Sequence, residues 1–244
     1  MLAFDIRTKL HTGAAYQFTI SPQYVGGDKL PAVVLVHGWG SKIFSNRTYT
    51  EAAERLRALG YHTLLLSLRG HEDSDGDLDT VSREDHAEDI EAAFAYLAER
   101  PEVDTKRLCV FGASYGAYML AAMPIRGARL ALLRAPALYP DEGWEQPKVV
   151  KNANLSEWRK VQHTQAESLA LRGIAQYKGA LSIVWSEHDE QMPTSVLGSY
   201  IEAIGSDDPV EILYGAKHTL TDEERLKFLV ILERFFRDNY PKSV

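Results

Sequence analysis

The chain is 244 residues long, 45% hydrophobic and 25% charged, the proportions of an ordinary globular protein with enough length for one large α/β core. Its net charge of −7 argues against a nucleic acid or an anionic membrane surface as partner, and no stretch comes near the roughly 18 apolar residues of a membrane span. Met1-Leu2-Ala3-Phe4-Asp5 lacks the basic and apolar segments of a secretion leader, and the single Cys109 allows no internal disulfide, so a cytoplasmic location is expected.

Loose alternation over Leu2–Leu10 and Ala14–Ile20, around His11-Thr12-Gly13, predicts an antiparallel hairpin. After the turn at Gly26-Gly27-Asp28, the run Ala32–Val36 is apolar without interruption and reads as a central strand buried on both faces. It ends in His37-Gly38-Trp39-Gly40-Ser41. Thr48–Leu59 predicts a helix stopped by Gly60, and Tyr61–Leu68 the next buried strand. An acidic loop, residues 71–79, follows, and Ser82 opens a helix to about Arg100 with Ile90, Phe94 and Leu97 on one face.

Leu108–Phe111 is a short strand that runs into Gly112-Ala113-Ser114-Tyr115-Gly116 and then an alanine-rich helix. Gly-x-Ser-x-Gly between a strand and a helix is the context of a nucleophile elbow, a strained turn that lifts a serine hydroxyl above the sheet. Leu130–Leu133 is the next strand. From Ala137 to about Tyr177 the pattern breaks down, and this stretch, with Trp144 and Trp158, reads as a short, partly helical insertion over the site. Ala180–Trp185 is a strand, Pro193–Ile204 a helix stopped by Gly205, and Val210–Tyr214 the last strand. Thr221 and Glu224 form a capping box for a C-terminal helix carrying Leu226, Leu229, Val230, Leu232 and Phe236. Strands alternating with helices, without internal repeat or linker, predict one α/β domain over residues 1–244, built on a mostly parallel central sheet with helices on both faces.

A serine becomes a nucleophile only when a base takes its proton, and the base needs a third group to fix its tautomer. In open α/β sheets reactive groups gather beyond the carboxyl ends of the strands. Asp189 follows one such strand and His218 follows the last, in the order Ser, Asp, His that this architecture uses. Five segments in order, residues 37–42, 68–71, 112–116, 189–193 and 215–218, give the chain a resemblance over nearly its whole length to the α/β-hydrolase-fold serine hydrolases. More narrowly, it is similar to the compact bacterial esterases of the serine aminopeptidase, monoacylglycerol lipase and cinnamoyl esterase branch.

That resemblance implies Ser114 as nucleophile, His218 as base and Asp189 as orienting acid. Glu187 and Glu190 are rival acids, but the family pattern sets the acid four residues before a proline, as Asp189 stands to Pro193. His188 would have to bend back to act as base. His62, His86 and His163 read as surface or structural residues, and His37 as a brace for the loop after its strand. The oxyanion needs backbone donors, worth about 3–4 kcal/mol for one of them. The N–H after the nucleophile belongs to Tyr115, and the resemblance assigns the second to Trp39, whose indole either walls the acyl pocket or packs in the core. Arg134, Trp144 and Trp158 are the remaining candidate substrate contacts, although a surface salt bridge is the plainer role for Arg134.

Residues 73, 75, 77, 79 and 84 match a calcium-loop template, but Leu78 occupies the position that demands Gly, so no metal is expected. Relatives usually continue Arg-Gly-His with Gly-x-Ser, and Glu72 and Asp73 depart from that. Ser67 stands where relatives often carry Asp, a change expected to affect loop bracing. The expectation is therefore a cofactor-free hydrolase acting on a small-molecule ester or acyl substrate. A peptidase, thioesterase or acyltransferase with the same three residues is the first alternative, and a non-catalytic binding module the second.

Overall fold

Long apolar strands between helices with one apolar face leave a single economical arrangement, a sheet sandwiched by helices. The computed structural model, which describes residues 7–123, 127–149, 154–207 and 209–242, has this form. Among the described residues the eight strands are β1 (Arg7–Lys9), β2 (Ala15–Thr19), β3 (Leu30–Val36), β4 (His62–Ser67), β5 (Val103–Ala113), β6 (Leu130–Arg134), β7 (Ala180–Ser186) and β8 (Val210–Leu213). Their order across the sheet is β1-β2-β4-β3-β5-β6-β7-β8. β1 and β2 form the antiparallel hairpin at one edge, and β3 to β8 are all parallel. The expected hairpin residues 1–6 lie outside the described residues.

The helices are α1 (Arg47–Ala58), α2 (Arg83–Ala98), α3 (Tyr115–Ala122), α4 (Leu155–Trp158), α5 (Leu169–Gln176), α6 (Thr194–Ile204) and α7 (Asp222–Asp238). Alternate residues of each strand serve opposite faces. Val34, Val36, Leu64, Leu66 and Val110 face the core shared with α2, α3, α5 and α6. Val33, Leu35, Leu65 and Phe111 face the one shared with α1 and α7. This explains why β3 and β4 carry no polar alternation: both faces are covered.

Three expectations are corrected by the packing. β5 begins at Val103 rather than Leu108, with a register shift in its pairing to β3 between Leu30 and Ala32. In α7 the buried stripe is Phe228, Leu229, Leu232 and Phe236, whereas Leu226 and Val230 are 48% and 57% exposed because they fall on the helix's outer side. Finally, α5, placed by sequence inside the insertion, buries Ala170, Leu171 and Ile174 in the core beside α3 and makes the crossover between β6 and β7.

Candidate active site

β5 stops at Ala113, α3 starts at Tyr115, and Ser114 between them has φ 52° and ψ −115°. A positive φ on a residue with a Cβ costs energy, and three hydrogen bonds hold it. The Ser114 N–H donates to the Arg134 carbonyl at 2.8 Å, and the Ser114 carbonyl accepts from the N–H groups of Tyr118 and Ala137 at 3.1 Å each. The two flanking glycines are demanded by space. A Cβ on Gly112 would lie 2.8 Å from the Ala117 nitrogen, and one on Gly116 would meet the Val36 carbonyl and lie 2.5 Å from that of His37. Both obstacles are backbone, of α3 in the first case and of the end of β3 in the second, and neither moves without the element that carries it. Gly116→Ala is therefore expected to destabilise the fold by about 1–3 kcal/mol, read as a lowered denaturation midpoint; an unchanged midpoint would show that the turn has slack.

Ser114 Oγ lies 3.0 Å from His218 Nε2, and His218 Nδ1 lies 2.7 and 2.9 Å from the two Asp189 oxygens. The carboxylate fixes the proton on Nδ1 and leaves Nε2 to accept the serine hydroxyl, the order in which a base can take a hydroxyl proton. Burial alone would push the Asp189 carboxyl up, but hydrogen bonds from His218 and from the Met192 and Gln191 N–H groups outweigh it and hold the acid below its ordinary range. The rival acids face backbone: Glu187 accepts the Gly215 N–H at 2.8 Å and Glu190 the His218 N–H at 3.1 Å, so both brace the loop that carries the histidine. The His188 side chain is 64% exposed and reaches only toward Glu187. Arg134 is corrected from a surface salt bridge to a buried guanidinium that donates to Ser186 Oγ at 2.8 Å and the Lys217 carbonyl at 3.0 Å. It thereby ties the ends of β7 and of the His218 loop together.

The backbone N–H groups of Trp39 and Tyr115 make no hydrogen bond to the described residues. Tyr115 opens α3, where the first N–H groups have no intrahelical partner. Around them the loop is braced by neutral imidazoles. His37 donates from Nδ1 to the Gly38 carbonyl at 2.7 Å and accepts the Leu68 N–H at 3.0 Å. His71 donates to the Arg69 carbonyl and accepts the Gly40 N–H, and His86 donates to the same carbonyl and accepts the Tyr115 hydroxyl at 2.8 Å. His62, His86 and His163 are all buried structural residues, none on the surface. In the acidic loop, Glu72 accepts the Ile43 and Phe44 N–H groups, Asp73 and Asp75 pair with Arg7 and Lys9, and the Ser67 hydroxyl donates to the His71 carbonyl. Its carboxylates thus tie the loop to the hairpin and to residues 43–44.

Burial first, and then the neighbouring His71, pushes His37 and His86 down to about 3. Unfolded histidine takes up a proton near pH 6.5, so between about 6.5 and 3 the unfolded chain binds more protons than the folded one. Stability is then lost as pH falls, by up to about 1.4 kcal/mol per pH unit for each histidine. Denaturant midpoints at pH 7, 6 and 5 should decline accordingly; a flat series would contradict these buried neutral rings.

Ser114, His218, Trp39 and Arg134 line one cavity of about 870 Å³. Trp144 and Trp158, expected as substrate contacts, do not line it. Trp158 stacks on His163 with ring centres 3.5 Å apart, and Trp144 packs under the Arg83 guanidinium at 5.5 Å. What the insertion does bring to the cavity is Tyr139, Lys148 and Arg159, none of them singled out by sequence. Lys148 Nζ sits 3.6 Å from the centre of the Trp39 ring, and burial, then repulsion from Arg159 and Arg83, pushes its ammonium down to about 7. No helix among the described residues is long and apolar enough to cross a membrane.

Comparison with known proteins agrees with this architecture. The ferulic acid complex of Est1E from Butyrivibrio proteoclasticus superposes with a TM-score of 0.71 at 14% identity, covering 97% of this chain and 100% of that one. XC6422 from Xanthomonas campestris, an α/β serine hydrolase without a lid, gives 0.67 at 15% identity, covering 100% and 99%. At such identities the likeness is one of fold. The quorum-quenching protein AidA of Acinetobacter baumannii (strain MDR-ZJ06) is 31% identical over 115 residues, 46% of this chain, so the match spans 36% of that relative's length. The model of the X-Pro dipeptidyl-peptidase (S15) family matches residues 19–204, and the chain belongs to that family, with the fold of the α/β-hydrolase serine hydrolases.

Proposed function

We propose that the chain hydrolyses carboxylic esters through an acyl-enzyme on Ser114, with His218 as base and Asp189 as its orienting acid. The observation that carries this reading is the continuous hydrogen-bonded line from Asp189 through His218 to the Ser114 hydroxyl, 2.7 and 3.0 Å at its two closest links. His218 Nε2 takes the hydroxyl proton as Oγ attacks the ester carbonyl carbon. The carbonyl oxygen becomes an oxyanion held by the Tyr115 and Trp39 N–H groups. The carbon–oxygen bond to the alcohol then breaks, and His218 returns its proton to the leaving alkoxide. Water, deprotonated by the same nitrogen, attacks the acyl carbon and releases the carboxylic acid with Ser114 restored. Every proton moves among these residues, substrate and water, so the route calls on no cofactor.

The S15 match favours peptide cleavage as a second reading. A dipeptidyl-peptidase substrate brings an N-terminal ammonium, and the buried Arg159 guanidinium, with the partly charged Lys148, in the same cavity as Ser114 opposes one. The reading is tested by kcat/KM for p-nitrophenyl esters beside glycyl-prolyl-p-nitroanilide and an acyl thioester. Ester cleavage should be fastest; faster cleavage of the anilide would replace the ester reading with the peptidase one.

A further inference from the structure

Lys148 and Arg159 are 5% and 8% exposed, and both line the cavity that holds the Ser114 hydroxyl. Buried cations are ordinarily paired, because desolvation without a partner is costly. Neither cation has a carboxylate partner among the described residues: the nearby acids Glu157 and Asp141 pair with Lys160 and Arg172 instead. Arg159 gives one N–H to the Leu138 carbonyl at 2.9 Å, while its buried Nη2 has no partner. Aromatic faces compensate in part. Lys148 lies against Trp39 and 5.3 Å from the centre of the Tyr139 ring, and the Arg159 guanidinium lies 4.6 Å from that same centre. In a chain of net charge −7, two basic side chains gathered on the Tyr139 ring in the Ser114 cavity, without a carboxylate partner among the described residues, are not a consequence of composition.

We propose that Lys148 and Arg159 form an anion subsite, and that the substrate is an ester whose acyl chain ends in a carboxylate. The substrate class rests on the ester reading above, while the anion subsite itself does not. The scissile carbonyl would sit at Ser114 and the carboxylate would lie against Tyr139, accepting from the Arg159 guanidinium and from Lys148. Burial, and then repulsion from Arg159 and Arg83, weaken the charge on the Lys148 ammonium, and a carboxylate entering between Lys148 and Arg159 offsets both effects. Lys148 and Arg159 act here as specificity-determining contacts with no part in the proton transfers.

The test compares mono-p-nitrophenyl glutarate with p-nitrophenyl pentanoate on the intact chain, and measures glutarate binding to Ser114→Ala by calorimetry. The wild type should prefer the charged ester, and Lys148→Met and Arg159→Met should each cut that preference ratio by about ten- to a hundredfold, the range for a hydrogen bond to a charged group. Melting curves establish that each variant is folded, and the wild-type preference and glutarate binding need no variant at these positions. Hydrolysis of the pentanoate with equal or slower turnover of the glutarate would overturn the anion subsite and leave the ester reading standing. Failure of both esters would instead sink the ester reading. Glutarate binding by Ser114→Ala would then uphold the anion subsite, and its absence would overturn it.

Discussion

Replacing Ser114 by alanine is expected to lower kcat for an ester by about 10⁶-fold, the loss seen when the nucleophile of a comparable triad is removed. The reason is local. Among the described residues, the only hydroxyl hydrogen-bonded to His218 Nε2 is that of Ser114, so the variant has a base and no proton for it to take. Alanine keeps the Cβ and the backbone hydrogen bonds to Arg134, Tyr118 and Ala137 that hold the turn at φ 52°, so the fold should survive. What remains is carried by the oxyanion donors and by binding. The check is a steady-state assay beside an unfolding curve. A folded variant retaining wild-type turnover would remove Ser114 from the chemistry.

Asp189→Asn should cost on the order of 10⁴ in kcat at neutral pH while leaving KM little changed. The Asp189 carboxylate accepts from His218 Nδ1 and so keeps Nε2 free to take the serine proton. An amide at this position offers N–H donors, which invite the imidazole to turn its unprotonated nitrogen toward residue 189 and its N–H toward Ser114, the wrong tautomer for a base. The Asn carbonyl can still accept the Met192 or Gln191 N–H that Asp189 accepts now, so a large loss of stability is not expected. A variant with undiminished kcat would transfer the orienting role to Glu190 or Glu187, whose carboxylates accept the neighbouring His218 and Gly215 N–H groups.

The sheet was legible because its strands are buried on both faces. Ala32–Val36 and Tyr61–Leu68 could only be central, and helices of matching period had to cover them. The elbow was legible because Gly112 and Gly116 mark a close approach that the packing around Val36, His37 and Ala117 makes specific. Asp189 and His218 stand just after strands, and the family resemblance, through Pro193, chose Asp189 over Glu187 and Glu190. The insertion was not legible in the same way. Lysine and arginine in an unpatterned stretch read as solvated, and only the folded chain shows Lys148 and Arg159 buried against Tyr139. Trp144 and Trp158 read as free aromatic surface for a substrate, but Arg83 and His163 occupy them. Arg134 misled for a related reason: its charge suggested a surface partner, whereas Ser186 and the Lys217 carbonyl satisfy it inside. Side chains that find partners across the fold are those that periodicity describes least.

In the proposed reaction Ser114 becomes covalently acylated. A p-nitrophenyl ester reacted with the intact chain, acid-quenched within the first turnover and mapped by peptide mass spectrometry tests it most directly. One acyl group is expected, carried by the peptide containing Ser114 and absent from the Ser114→Ala variant. Acylation of another residue, or first-turnover hydrolysis without any covalent acyl group, would contradict it.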